Sequence, residues 1–245
     1  MRTIALLSAV LVLAVGCVMS SEPEVPAPPP TLMPTASTVT TIPGGSSAPR
    51  ATSAAPESPF VPLMIDPETA GRMTSSWREG CPVPLEDLRL LRLHYHDLAG
   101  ETQVGEMVVA ADVADDVVSV FEKLYDAGFP IERMELVDAY GGDDLVSMQA
   151  NNTSAFNCRK IEGSVRWSEH AYGSAIDVNP LLNPWVRGST VSPVEGAAYT
   201  DRSLQVPGMI HPDDVVVRAF ESIGWTWGGA WITSKDYQHF SQTGR

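Results

Sequence analysis

Two short segments of the chain hold histidine and acidic residues at spacings that suit a metal site. The first, residues 168–177, reads SEHAYGSAID and separates His170 from Asp177 by small residues and one glycine. The second reads KDYQH and places Asp236 three residues before His239. Imidazole nitrogens and carboxylate oxygens are zinc ligands, and a catalytic zinc usually takes three protein ligands. His170, Asp177 and His239 are therefore the predicted ligands of a zinc ion. Asp236 is then close enough in the chain to act as general base on the attacking water.

Two local features must position these side chains. Gly173 lies between His170 and Asp177, and glycine permits the close turn that brings both side chains to one ion. Asp236 and His239 are three residues apart, so their side chains would face opposite sides of a flat strand. A turn or bulge between them is therefore predicted.

The pattern Ser-x-His-x-x-Gly-x-Ala-x-Asp, followed downstream by Asp-x-x-His, resembles the D-alanyl-D-alanine metallopeptidases of the VanX and VanY type. The form with Asp before the last histidine is also similar to the L-alanyl-D-glutamate endopeptidases of phages and bacteria. The resemblance covers roughly residues 80–245. It implies zinc as cofactor, zinc ligation by His170, Asp177 and His239, catalysis by Asp236 and Arg159, and orientation of substrate or of the metal site by Ser168.

Arg159 lies shortly before the first motif, and its guanidinium offers a permanent charge and a planar fork of donors. Such a group can stabilise an oxyanion or bind a substrate carboxylate. A structural ion pair is the alternative role for Arg159, as it is for Asp236. Trp227 could contact a bound peptide together with Trp225 and Trp231, although core packing explains these tryptophans about as well.

Other histidine and arginine side chains could bind metal or substrate. His94 and His96 form His-x-His on a predicted strand, where both rings share one face and could bind metal. In the related lysostaphin-type peptidases this motif follows the His and Asp pair, whereas here it precedes the pair. We therefore interpret it as a half-exposed strand face. A carboxypeptidase also needs a cation for the free carboxylate of its substrate, and the candidates are Arg166, Arg187 and Arg202.

The first 17 residues are typical of an export signal. A charged start precedes an apolar run from Ile4 to Val15, and a small residue followed by Cys17 resembles the lipobox of bacterial lipoproteins. Ala14 stands where that motif usually has leucine, and an ordinary secretory signal is the alternative. Residues 18–59 are rich in proline, serine and threonine, which predicts a disordered linker.

Cysteine usage agrees with export. If Cys17 carries lipid, Cys81 and Cys158 remain, and two cysteines in an exported domain suggest a disulfide. Two free buried thiols are the alternative.

Residues 60–245 are predicted to fold as one zinc peptidase domain. A hydrophobic content of 44% and six tryptophans allow a sizeable core. We predict an α+β fold, a small and mainly antiparallel sheet with helices packed on one side, similar in fold to the sonic hedgehog signalling domain. The sequence pattern predicts strands at 89–96, 105–110, 131–140 and 174–178, helices at 114–127 and 212–224, an ordered loop at 151–159 and a long surface loop at 185–208.

These observations predict an exported zinc metallopeptidase that hydrolyses peptidoglycan stem peptides. D-alanyl-D-alanine carboxypeptidase is the first expectation and L-alanyl-D-glutamate endopeptidase the second. A lipoprotein that binds wall peptides and zinc without turnover is the alternative from a different class. The formal net charge of −14 makes nucleic acid a poor partner. We expect a monomer, anchored through Cys17 to the outer face of the cytoplasmic membrane.

Overall fold

A computed structural model describes residues 60–244. The predicted signal peptide, the lipidation site at Cys17 and the linker lie outside these residues. Within them, no helix is both long enough and apolar enough to cross a membrane. The elements, in chain order, are β1 (Pro62–Met64), α1 (Pro67–Arg72), β2 (Leu88–His96), β3 (Thr102–Ala110), α2 (Ala114–Asp126), α3 (Asp144–Gln149), β4 (Ala175–Asp177), β5 (Trp185–Arg187), β6 (Thr190–Ser192), α4 (Val215–Glu221), β7 (Thr226–Trp227), β8 (Lys235–Asp236) and β9 (His239–Ser241).

The described strands form three small antiparallel sheets, in the orders β1-β2-β3, β4-β9-β7 and β6-β5-β8. The predicted α+β class is confirmed. The prediction of one small sheet was too simple, because the strands that carry the site are only two or three residues long and form separate sheets.

The β1-β2-β3 sheet is buried on both faces. Leu91 and Leu93 of β2 point into the main core, whereas Leu88 and Leu90 point into a second cluster. The second cluster also contains Cys158. Side chains alternate between the two faces of a strand, so this division follows from the leucine-rich sequence of β2. Both faces of the sheet must therefore pack against other residues, and helix α2 packs only against the main-core face.

Helix α2 forms where the apolar spacing predicts it. Val117, Phe121 and Leu124 are all at most 1% exposed and lie on one face. The helix ends before Gly128, whose φ of 67° lies in the left-handed region that glycine adopts readily.

The β4-β9-β7 sheet carries two of the predicted ligands and has an aromatic core beneath it. Phe240 of β9 stacks on Phe220 of α4 with ring centroids 4.1 Å apart, and Phe220 also contacts Trp225. Helix α4 begins at the N-cap Asp214, whose carboxylate accepts from Val216 N and Val217 N. It starts three residues later than the sequence predicts.

Two other predictions of local structure were wrong. Residues 131–140 form no strand: their backbone is irregular and ends in a 3-10 helix at Val137–Tyr140, with its N–H groups partly bonded to buried side chains. Residues 185–208 are not one surface loop, because they contain the β5–β6 hairpin and a 3-10 helix at Val194–Tyr199.

Buried asparagines hold the irregular segments together. The side chain of Asn183 donates to the carbonyls of Val178, Asn179 and Gly208 and accepts from Ile210 N and Arg202. Asn151, Asn152 and Asn179 make comparable bonds between loops, and all four asparagines are at most 1% exposed. A side-chain amide both donates and accepts, so it can form hydrogen bonds with buried backbone groups that have no partner in a paired strand or helix.

Candidate metal centre and active site

His170 lies on a 3-10 helix, Glu169–Tyr172, which begins at Ser168. The Ser168 hydroxyl accepts from the backbone N–H of His170, so Ser168 acts on the metal site through the backbone. The imidazole Nδ1 lies 2.7 Å from the carbonyl oxygen of Ala155. A carbonyl can only accept, so Nδ1 carries a proton, and Nε2 faces Asp177 as a donor when the ring is charged and with a lone pair when it is neutral. The bond from Nδ1 is the usual second contact of a metal-binding histidine.

Gly173 ends this helix and fixes its distance from β3. Its φ is 69°, and a Cβ added there would lie 2.5 Å from the backbone nitrogen of Ala110. That same nitrogen donates to the carbonyl oxygen of Gly173 over 3.0 Å. The glycine predicted to allow a close turn therefore also permits a close approach between two backbones.

Asp177 and His239 are brought together by strand pairing. Asp177 of β4 lies directly opposite His239 of β9, and Asp177 Oδ1 is 3.0 Å from His239 Nδ1. The other oxygen, Oδ2, is 3.1 Å from His170 Nε2. Although burial opposes ionisation, the two histidines hold the pKa of Asp177 well below its usual range.

The three predicted ligands converge. One ligand atom from each of His170, Asp177 and His239 lies within 4.8 Å of the others, and each residue is at most 6% exposed. The lone pair of His170 Nε2 and a carboxylate oxygen repel each other at 3.1 Å unless a proton or a cation lies between them. Two imidazole nitrogens and one carboxylate are also a ligand set that suits zinc. The residues present therefore fit a metal ion.

Asp236 lies beside this cluster, and a break in the strand separates it from His239. Strand β8 ends at Asp236 and β9 begins at His239, so the predicted turn between them is present. Burial raises the pKa of Asp236 to about 7, with His239 opposing and Asp177 reinforcing the shift. Its Oδ1 is buried and has no hydrogen-bond partner within residues 60–244. Gly228 leaves room for this residue, because a Cβ there would lie 2.8 Å from the Cβ of Asp236.

Arg159 forms an ion pair, which is the alternative role that the sequence analysis gave it, but its partner was not predicted. Its Nη2 lies 2.7 Å from Oδ2 of Asp144, the first residue of α3. Burial raises the pKa of Asp144, and the charges of Arg159 and His170 oppose that shift. No sequence pattern links Asp144 to Arg159, so only the fold identifies this pair.

A disulfide holds the backbone just before Arg159. Cys81 and Cys158 are bonded, with Cα atoms 5.9 Å apart. Arg78 also donates to the carbonyl oxygen of Cys158. The segment that leads to Arg159 is thereby fixed to the N-terminal part of the domain.

The assignment of Trp227 to substrate binding is not supported by its position. Trp227 is 5% exposed, its ring stacks on Phe240, and its indole N–H donates to the carbonyl oxygen of Tyr237. It belongs to the core. Trp231, by contrast, contacts His239 with ring centroids 5.6 Å apart, and it is only partly buried. Trp231 is therefore the tryptophan at the candidate site.

Several other predicted candidates lie outside the ligand cluster. The ring of His96 stacks on Tyr125 at 4.5 Å, and His94 also contacts Tyr125, as expected for a partly exposed strand face. Arg202 donates to the carbonyl oxygens of Leu182, Tyr199 and Ile210 and to Asn183. These four contacts use both Nη atoms of Arg202, which leaves it a poor receptor for a substrate carboxylate.

Comparison with known proteins gives a family match over the segment that holds the three candidate ligands and Asp236. A family model described as D-alanyl-D-alanine carboxypeptidase matches residues 162–242. The family resemblance is confirmed. The match to this carboxypeptidase family covers about a third of the chain, including all three candidate ligands and Asp236, and it begins just after Arg159. Searches of curated proteins and of solved structures found no match.

Proposed function

We propose that the chain is a zinc-dependent D-alanyl-D-alanine carboxypeptidase that acts on peptidoglycan stem peptides. The observation that carries this proposal is the convergence of His170, Asp177 and His239 within the segment that matches the carboxypeptidase family. A zinc ion bound there would lower the pKa of a water molecule and polarise the scissile carbonyl.

The surrounding side chains suit peptide hydrolysis. Asp236 accepts the proton of the attacking water and returns it to the leaving amine as the C–O bond forms and the C–N bond breaks. Its raised pKa suits this exchange near neutral pH, although a divalent cation close by would lower it again. Arg159 donates to the oxygen on which negative charge develops. The partly buried ring of Trp231 excludes water from one side of His239.

We also propose that the protein is exported and held at the outer face of the cytoplasmic membrane through a lipid on Cys17. The apolar run before Cys17 supports export, and a disulfide between Cys81 and Cys158 suits an oxidising compartment. Residues 18–59 would then let a monomeric domain reach the stem peptides of the wall.

Mass spectrometry of purified muropeptides incubated with the full chain tests the proposed reaction. Chelator-sensitive loss of one terminal D-Ala, restored by zinc, is the expected result. Scission between L-Ala and D-Glu would instead establish an endopeptidase, and stoichiometric zinc without any cleavage would establish a binding protein. His239→Ala should abolish turnover, whereas His96→Ala, a histidine outside the ligand cluster, should leave it unchanged.

A further inference from the structure

The ion pair between Asp144 and Arg159 involves a segment that is hydrogen-bonded to the segment of His170. The charges of His170 and Asp177 both act on Asp144, and Asp144 in turn acts on Asp236. Asp144 is therefore close enough to the candidate ligands and to Asp236 for their charges to affect one another's pKa values. Asp144 is a member of the site that neither the sequence motif nor the family match contains.

The backbone of Arg159 is fixed to the segment that carries His170. Asn157 N donates to the carbonyl oxygen of His170, and Ser168 N donates to the carbonyl oxygen of Arg159. The disulfide at Cys158 adds a third restraint. These bonds fix where the Arg159 side chain begins, but its long side chain retains several rotatable bonds, so its end needs a separate contact.

Asp144 supplies that contact. It engages Nη2 of Arg159 at 2.7 Å, and Nε of Arg159 is buried and finds no acceptor within residues 60–244. A guanidinium is a rigid planar fork, so one carboxylate on Nη2 orients the remaining donors. The Arg159 side chain is 29% exposed, so a substrate oxygen can reach the outer donors of its guanidinium.

Asp144 is not the residue that caps helix α3. Asp143 is the N-cap and accepts from Val146 N, and this neighbouring carboxylate is exposed. Asp144 is half-buried, and burial of its charge is costly unless the charge is paired. Its location is therefore explained by Arg159 and not by helix capping.

We propose that Asp144 is a positioning residue, which holds the Arg159 guanidinium so that its free donors face the oxygen that becomes negative during peptide hydrolysis. The inference deepens the proposed function and rests on it. Asp144 itself touches no substrate atom in this scheme. It acts only through Arg159, and that restriction can be tested.

A double-mutant cycle on the zinc-loaded full chain, assayed with a synthetic stem pentapeptide ending in D-Ala-D-Ala, is the test. Arg159→Ala should lower kcat about 100-fold, the effect of losing one oxyanion donor. Asp144→Ala should lower kcat about tenfold with KM changed less than about threefold, because the contact matters in the transition state. In the Arg159→Ala background, Asp144→Ala should change kcat less than about twofold.

Two further measurements separate positioning from a structural role. Affinity for a phosphinate analogue of the tetrahedral intermediate should fall in step with kcat in Asp144→Ala, whereas zinc should stay bound and Tm should fall by no more than a few degrees. The matched control is Asp143→Ser, which removes the adjacent carboxylate and keeps a capping hydroxyl. It should leave kcat unchanged.

The inference is overturned if Asp144→Ala costs the same tenfold in the Arg159→Ala background, or if it releases zinc. Asp144→Asn keeps the shape and removes the charge, so it replaces Asp144→Ala if that variant does not fold. Wild-type kcat in Asp144→Asn would also overturn the inference. Absence of turnover by the wild-type chain would refute the proposed function itself, which distinguishes the two failures.

Discussion

Replacement of Gly173 by alanine tests how the fold positions His170. The residue has a φ of 69°, a conformation that costs a non-glycine residue about 1–2 kcal/mol. The new Cβ would also meet backbone atoms of Ala110 and Val109 at 2.5 and 3.1 Å, and these atoms belong to a paired strand that cannot easily move. Overpacking of this kind costs about 1–3 kcal/mol. We expect Gly173→Ala to lower the free energy of unfolding by about 3 kcal/mol.

The displacement should also reach the metal site. Gly173 directly follows the short helix that holds His170, so a shift of its backbone moves the imidazole relative to Asp177. Changes in the groups that orient a ligand typically reduce metal affinity 10- to 100-fold. We expect zinc affinity, measured by competition with a chromogenic chelator, to fall at least about tenfold.

Gly128→Ala is the matched control for this substitution. Gly128 has nearly the same φ, 67°, but a Cβ there meets no atom within 4 Å. Gly128→Ala should lower the free energy of unfolding only by the conformational cost of the positive φ, about 1–2 kcal/mol, measured by urea unfolding of the zinc-free chain. It should leave zinc affinity unchanged. Equal destabilisation by the two substitutions, with equal zinc affinity, would refute the argument that close backbone approach at Gly173 positions the ligand.

Three further outcomes follow from the described contacts. Asp236→Asn should retain stoichiometric zinc while kcat falls about 10²- to 10⁴-fold, and unchanged turnover would remove this carboxylate from the mechanism. The double variant Cys81→Ala and Cys158→Ala should unfold at lower urea concentration, with a loss of about 4 kcal/mol for a sequence separation of 77 residues, and a reductant should then have no further effect. Burial opposes ionisation of Glu106, but two arginine partners outweigh it and lower its pKa. A lowered folded pKa means that this stabilisation is present above about pH 4.5 and is lost as the pH falls through the lowered value, so Glu106→Gln should flatten the acid side of the stability curve.

Much of the fold core was predictable because its signals are local. The leucine-rich pattern of β2 and the helical spacing of α2 are both local signals of burial, and the structure has both elements at those positions. Residues 131–140 were predicted wrongly because an irregular segment can bury the same apolar residues as a strand. Its backbone groups are bonded to the distant side chains of Asn152 and Asn179, which no local window contains.

The convergence of the three candidate ligands was predictable for a different reason. The segment from Ser168 to Asp177 contains its own positioning residues: a capping serine, a glycine that turns the chain, and a short strand. Each residue in the pattern has a local task, so the pattern is specific even without the fold. His239 was found by its spacing from Asp236, and strand pairing then places it opposite Asp177.

Arg159 and Trp231 show where such reasoning ends. The sequence gives Arg159 a charge and a position near the motif, yet its partner Asp144 is one of many acidic residues in a chain with 30 of them. Trp227 and Trp231 are equally plausible in the sequence, and only packing separates the core ring from the ring beside His239. The turn and cap that shape the segment of His170 and Asp177 are encoded locally, whereas Asp144 and Arg159 meet only through contact between segments. We therefore expect substitutions within residues 168–177 to act first on zinc binding, and substitutions at Asp144 to act on turnover while zinc stays bound.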